Sequence, residues 1–138
     1  MSYDNQKGPT LLELLIVLIV ISILAAVAFP KLYSIIEASR SQEAFNTITV
    51  IRNGLEHCYL SNGGTYQNCA INDFLIDDPN NSPGNHFVYS FVDLSQDGFT
   101  IRAVRNTLDK GNPTDMIEVT QGPGGIARSG TGAFKGIK

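Results

Sequence analysis

The segment "LLELLIVLIVISILAAVAFP", residues 11–30, is dominated by apolar residues and contains one charged side chain, Glu13. An α-helix rises about 1.5 Å per residue, so Leu11 to Phe29 would form a rod roughly 28 Å long. This length is close to the roughly 30 Å hydrocarbon thickness of a bilayer. The segment is therefore predicted to cross a membrane as a single helix.

Glu13 is the third residue of this apolar run and needs an explanation. A charge at the centre of a membrane span costs about 2.5 to 3.5 kcal/mol on insertion scales, and the cost falls toward the ends of the span. Two interpretations remain open at this point. Glu13 can be an interfacial residue that marks where the span begins, or an intramembrane ionisable group with a partner of opposite charge.

The helix is predicted to continue beyond the apolar segment. Apolar residues after Pro30 keep a three-and-four spacing: Leu32, Ile35, Ile36, Phe45, Ile48, Ile51, Leu55 and Tyr59. This spacing predicts an amphipathic helix that ends near Ser61, where "SNGG" supplies glycines that readily adopt left-handed conformations. Pro30 removes one backbone hydrogen bond inside this helix, so we expect a kink or a local weakness there.

The second half of the chain changes to the alternation typical of β-strands. The segments "HFVYSFVD", "FTIRAVRN" and "DMIEVT" each place apolar residues on one face. "SQDG" predicts a tight hairpin between the first two strands, and "TLDKGNPTD" predicts a longer turn before the third. We expect an α+β fold, in which an antiparallel sheet of about three strands packs on the apolar stripe of the long helix.

Two further segments are predicted to be short or irregular. A turn of helix is expected around Phe74 and Leu75, followed by loop. From Gly122 onward the chain has six glycines in 17 residues, a composition that favours a flexible or irregular tail.

Composition limits the number of domains and the class of partner. The chain has 138 residues with 10 basic and 13 acidic side chains, a net charge of −3 and no block of like charges. About 108 residues follow the first 30, enough for one small domain with a modest core. The weak, mixed charge offers no electrostatic footprint for nucleic acid.

Cysteines, histidines and acidic residues indicate little chemistry. Cys58 and Cys69 lie eleven positions apart and lack CxxC spacing, so in an exported protein they are predicted to form a disulfide. His57 and His86 are single and have no metal-site spacing. We therefore predict no enzyme activity, no catalytic residue, no metal and no cofactor.

One loop leaves a metal-binding alternative open. Asp77, Asp78, Asn80 and Asn81 offer oxygens that could bind calcium, although a solvated loop explains the same residues.

An ordinary secretory signal peptide is the competing explanation of the apolar segment. Ala26, Val27 and Ala28 form an A-x-A pattern, and cleavage after Ala28 would release a soluble protein that begins at Phe29. The apolar run is long for a signal peptide, contains an acid, and follows a nearly neutral N-terminal region. These features favour a membrane anchor.

The N-terminal residues resemble a known family. "GPTLLELLIVLIVISILAAVAFP" is similar to the signature of type IV prepilins and of type II secretion pseudopilins, in which a short polar leader ending in Gly precedes T-L-x-E-L and an apolar helix. The resemblance is tight over about residues 7–38. The amphipathic helix, linker, sheet and tail that follow are similar to a pilin head.

The resemblance implies a processing site and an assembly residue. A prepilin peptidase would cut between Gly8 and Pro9, the new N-terminus would be methylated, and Glu13 would take the position of the family glutamate. Pro30 matches a helix-weakening proline of many type IV pilins. Pro9 departs from the apolar residue that most relatives have at the junction, and proline restricts the residue before it.

This resemblance divides the chain into a leader (1–8), a transmembrane and polymerisation helix (9–30) and a globular head (31–138). Within the head we expect an amphipathic helix (31–61), a linker (62–85), an antiparallel sheet (86–121) and a glycine-rich tail (122–138).

The implied function is that of a structural subunit. The chain would sit in the inner membrane as a prepilin and then polymerise with copies of itself into an extracellular type IV pilus, with roles in motility and adhesion. Its implied partners are the prepilin peptidase and a pilus or secretion assembly platform. The alternatives are a type II secretion pseudopilin, or a minor pilin that acts as a binding module for adhesion or DNA uptake.

Overall fold

The computed structural model describes residues 8–71 and 77–137, which form two compact units. The first unit ends at Ile35 and the second begins at Ile36. The turn of helix expected around Phe74 and Leu75 lies outside the described residues. The domain boundaries given above stay predictions.

Helix α1 comprises Leu11–Ser61, close to the limits predicted from the sequence. At its C-terminal end the Gly64 N–H donates to the Tyr59 carbonyl at 2.9 Å, with Gly63 and Gly64 at φ +70° and +89°. Glycine adopts this left-handed conformation without a Cβ penalty, which explains why "SNGG" ends the helix. Pro30 lies inside α1, while the kink expected there stays a prediction.

The second unit contains a four-stranded antiparallel sheet. Its strands are β1 (Phe87–Leu94), β2 (Phe99–Arg105), β3 (Met116–Gly122) and β4 (Gly125–Gly130), in the order β1-β2-β3-β4. The α+β class, the three predicted strands and the hairpin between β1 and β2 are confirmed.

Strand β4 corrects the expectation of about three strands and of an irregular tail. It pairs with β3 from Gly122↔Gly125 to Ile117↔Gly130. The glycines of this segment serve the pairing: Gly125, at φ +108°, closes the hairpin, and a Cβ at Gly130 would lie 2.3 Å from the Phe134 carbonyl oxygen. Glycine content alone suggested disorder, but these glycines occupy a turn and a close backbone approach.

The core of the second unit joins one stripe of α1 to one face of the sheet. Its buried helix residues are Ala44, Ile48, Ile51 and Leu55, and its buried strand residues are Phe87, Tyr89, Phe99, Ile101, Ala103, Ile117 and Val119. Tyr66, Cys69 and Phe134 complete the cluster, and the ring centroid of Phe134 lies 5.6 Å from that of Phe87. The predicted helix stripe and strand alternation therefore meet in one core.

A disulfide between Cys58 and Cys69 ties the end of α1 to the segment that follows it, which confirms the predicted bridge. Beside it, the Tyr66 ring lies 4.6 Å from that of Tyr59 and 5.0 Å from that of Phe99. The Tyr66 hydroxyl donates to Glu56 at 3.1 Å. Burial and this carboxylate raise the pKa of Tyr66 to about 12, so its hydroxyl remains a donor at neutral pH.

Replacing both cysteines, as Cys58→Ser/Cys69→Ser, should lower the free energy of unfolding of the second unit. In the chain-entropy model a loop of this length contributes about 3 kcal/mol. Urea unfolding of the full chain in detergent micelles measures the loss. Reductant should destabilise the wild type by a similar amount and leave the double variant unchanged, and equal midpoints for wild type and variant would contradict a stabilising bridge.

Candidate functional site

The N-terminal turn of α1 is built around Thr10. The Thr10 hydroxyl oxygen accepts from the Glu13 N–H at 3.3 Å, and the Thr10 carbonyl accepts from the Leu14 N–H at 3.1 Å. Thr10 is therefore the N-cap residue, because it satisfies donors that would otherwise lack intrahelical partners.

Glu13 occupies the third position of the helix behind this cap. Thr10 and Glu13 together have the T-x-x-E spacing of a capping box. Glu13 is also the acid of the first helical turn, where the positive end of the helix dipole favours a carboxylate. Reasoning from charge alone missed the role of Thr10, although the spacing was readable in the sequence.

Gly8 and Pro9 precede the cap and are exposed, outside regular secondary structure. A Cβ at Gly8 would meet nothing within 4 Å, so the peptide bond between them is open to approach from solvent. Because the helix begins after Thr10, cleavage at this bond would remove no residue of the cap. The geometry is thus compatible with the predicted processing, which stays a prediction.

The surface that follows the first turn is apolar and uncovered. The large hydrophobic side chains from Leu11 to Ile36 are between 40% and 88% exposed. Ser22 and Ser34 do not interrupt it as free polar groups, since their hydroxyls donate to the carbonyls of Leu18 and Lys31 within the helix, at 2.7 and 2.9 Å. The helix is long and apolar enough to cross a membrane, a test that a signal sequence also passes.

The other predicted residues lie apart from this turn or have structural contacts. Cys58 and Cys69 belong to the second unit. In the loop considered for calcium, the Asp78 carboxylate accepts from the Asn80 N–H at 2.9 Å. The Asn80 amide pairs with the backbone of Tyr89, accepting from its N–H at 2.7 Å and donating to its carbonyl at 3.1 Å. These groups thus cap the edge of β1.

Metal-ligating groups do not cluster in the part of the chain that the structure describes, where no group of three or more His, Cys, Asp or Glu side chains could hold a metal ion. His57 is exposed on α1. His86 is partly buried between two carboxylates, Glu43 and Asp109, a contact that sequence reasoning did not foresee.

Arg105 is the second group that sequence reasoning missed. It is fully buried and donates to the Glu37 carboxylate and to the carbonyls of His86, Asn106 and Leu108. The signal was available, because the alternation of Phe99, Ile101 and Ala103 places Arg105 on the same inward face of β2. A buried cation at this position predicts an acidic partner.

Comparison with known proteins finds a family match over the N-terminal segment that contains the first turn of α1. Residues 3–29 match the family described as "Prokaryotic N-terminal methylation motif". Over 59 residues the chain is 36% identical to "Type II secretion system core protein G" of Escherichia coli (strain K12), a region covering 43% of this chain and 41% of the relative. The chain thus spans less than half the length of this relative. No solved structure matches significantly.

The methylation motif and the similarity to core protein G support a resemblance of this chain to type IV pilins and pseudopilins.

Thr10→Ala should loosen the first turn of α1, since it removes the side-chain acceptor of the Glu13 N–H. Loss of an N-cap costs about 1 kcal/mol, equivalent to roughly fivefold faster hydrogen exchange of the first-turn amides in detergent micelles. Thr10→Ser keeps the hydroxyl and should exchange like the wild type. Equal exchange of the Ala and Ser variants would contradict the capping role.

Proposed function

We propose that this chain is a structural subunit without enzyme activity that polymerises through its N-terminal helix into a type IV pilus filament, after a prepilin peptidase removes residues 1–8. The observation that carries the proposal is the exposed apolar surface from Leu11 to Ile36, behind a capped turn that contains the only charge of residues 11–30. Such a surface marks contact with a membrane or with other protein chains.

Two environments would cover this surface in turn. The inner membrane would hold the prepilin, because Leu11–Phe29 matches the bilayer core in length and hydropathy. Neighbouring copies of the same helix would cover it in the filament at the cell surface. An assembly platform in the membrane would transfer the subunit from the first environment to the second.

Glu13 would select and align the incoming subunit. Cleavage after Gly8 creates an ammonium group at Pro9, on which we expect a methyl group to be added. A buried carboxylate and a buried ammonium are each costly alone and acceptable as a pair. Pairing Glu13 with residue 9 of a neighbouring copy would fix the axial register, while apolar packing supplies the cohesion.

A pseudopilin of a type II secretion system is the second candidate. The observation that favours it is the similarity to core protein G, which covers 43% of this chain. Both candidates share the anchor, the processing and the assembly step, so they differ in the structure that the subunit enters.

Glu13→Ala should leave membrane insertion intact, because it removes a charge from the span. The same variant should be absent, or at least tenfold depleted, from filaments that contain wild-type subunits, because a buried ammonium would lack its partner. Epitope-tagged variant and wild type, produced in one strain and quantified in membrane and filament fractions, give both values.

Glu13→Gln is the matched control for this experiment. Glutamine fits the capping box as glutamate does but carries no charge. The proposal expects Glu13→Gln to be depleted like Glu13→Ala. Normal incorporation of the Gln variant would mean that Glu13 acts through the cap alone and would refute the charge pairing.

The location and abundance of the polymer separate the two candidates from each other and from the minor pilin named as an alternative above. A pilus subunit should be abundant in filaments sheared from the cell surface. A pseudopilin should be absent from that fraction, and its deletion should stop protein secretion into the medium. A minor pilin should appear in sheared filaments only at low abundance.

A further inference from the structure

His86 lies between two carboxylates that belong to different elements of the second unit. Its Nδ1 is 2.8 Å from Glu43 Oε2 on α1, and its Nε2 is 3.0 Å from Asp109 Oδ2 on the 3₁₀ turn Leu108–Lys110. An ionised carboxylate only accepts hydrogen bonds, so both contacts need a donor on the ring. Only the imidazolium form carries a proton on both nitrogens.

We propose that His86 is a pH-sensitive clasp: its imidazolium holds the turn Leu108–Lys110 against α1, and loss of one ring proton releases Asp109 from the ring. Histidine is the side chain whose charge ordinarily changes between about pH 5 and pH 8. Every residue of the clasp lies in the second unit, and the inference does not depend on the proposed function.

The geometry determines which contact breaks. Glu43 is held twice by the same residue, since its Oε1 also accepts from the His86 backbone N–H at 3.1 Å. The neutral ring should therefore keep its proton on Nδ1, facing Glu43. Nε2 then presents a lone pair to the Asp109 carboxylate, and this contact becomes repulsive.

The backbone of the turn that carries Asp109 is strained, and movement of the turn would relieve this strain. Asp109 has φ 52° and ψ 40°, and the next residue, Lys110, has φ 63°. Two consecutive non-glycine residues in the left-handed region are unfavourable unless surrounding contacts hold them. His86 and Arg40, whose guanidinium lies 2.9 Å from the Asp109 carboxylate, hold Asp109, while Arg105 holds the Leu108 carbonyl of the same turn at 2.9 Å.

Other charged groups lie around His86 and Asp109. They are Glu37, Arg40 and Glu43 on α1, Arg105 on β2, which donates to the His86 carbonyl at 3.1 Å, and Asp109 and Lys110 on the turn. The hydrogen bond from His86, followed by the charges of Arg40, His86 and Arg105, lowers the pKa of Asp109. The Asp109 carboxylate therefore stays ionised, and able to accept from the His86 ring, down to a lower pH than an ordinary carboxylate.

Opening the clasp would change the surface of the second unit. Thr107, Leu108 and Asp109 form one wall of an open groove of about 570 Å³. The asparagine amides that also line it are engaged by the protein itself: Asn106 donates to the Asn85 carbonyl at 2.6 Å, and Asn85 donates to the Pro79 carbonyl at 2.9 Å. The Leu108 carbonyl is held as well, since it accepts from Arg105 at 2.9 Å. The part of this wall that depends on the clasp is thus Asp109.

NMR titration of the full chain in detergent micelles, from about pH 4.5 to about pH 8.5, tests the clasp. The ring nitrogens of His86 and the backbone amides of residues 107–111 should shift with one common midpoint. His57, exposed on α1, is the internal control, and its own titration should leave those amides unmoved. A His86 ring that titrates without moving the turn, or that keeps one protonation state throughout, would overturn the proposal.

Two variants complete the test. Asp109→Asn keeps the size of the side chain but removes the carboxylate, so the His86 ring should still titrate while the amides of the turn respond at least fivefold less. Lys135→Gln removes a charge at an exposed position outside this turn and should keep the full response. If Asp109→Asn responds like the wild type, the turn senses another group and the clasp is refuted.

Discussion

An apolar helix surface without a cover is the constraint on which the rest of the structure depends. Between Leu11 and Ile36 the large hydrophobic side chains of α1 are at least 40% exposed. Burial of apolar surface is the dominant favourable term in folding and association, so this surface has to meet lipid or other chains. The first unit therefore needs lipid or other chains to cover its apolar surface, whereas the second unit buries its own core.

The charged side chains of α1 also differ between the first and the second unit. After Lys31 the helix carries five more charged Asp, Glu, Lys or Arg side chains, and each contacts the rest of the second unit: Glu37 with Arg105, Arg40 with Asp109, Glu43 with His86, Arg52 with Gln121, and Glu56 with Tyr66 and Gln121. The partly exposed pairs among these contribute about 0 to 1 kcal/mol each. Glu37 instead pairs with the fully buried Arg105, which would be left as an uncompensated buried charge without it. These contacts set the register of helix against sheet, while the apolar core supplies the stability.

The sequence predicted the structural features that depend on hydrophobic periodicity and on segment length. Spacings of three to four residues predicted the extent of α1 and its apolar stripe through Ile48, Ile51 and Leu55. A spacing of two residues predicted strands β1 to β3. Strand β4 was missed because glycine at Gly125 and Gly130 serves turn geometry and close packing, which composition does not distinguish from disorder. The contacts of His86 were not predictable from the sequence. His86 is separated by 43 positions from Glu43 and by 23 positions from Asp109, and only the tertiary fold brings these residues together. The Thr10 cap follows from the T-x-x-E spacing of Thr10 and Glu13, which the charge of Glu13 alone does not reveal.

The mature N-terminus tests the central claim most directly, because it decides whether the apolar surface and Glu13 remain in the working protein. Intact-mass measurement of the protein from its native cell should give a chain that begins at Pro9 and carries one added methyl group. A chain that begins at Phe29 would show that the apolar segment is a discarded signal peptide and would contradict the account. An intact Met1 would keep the fold but leave Glu13 without a terminal ammonium near the span, contradicting assembly by charge pairing.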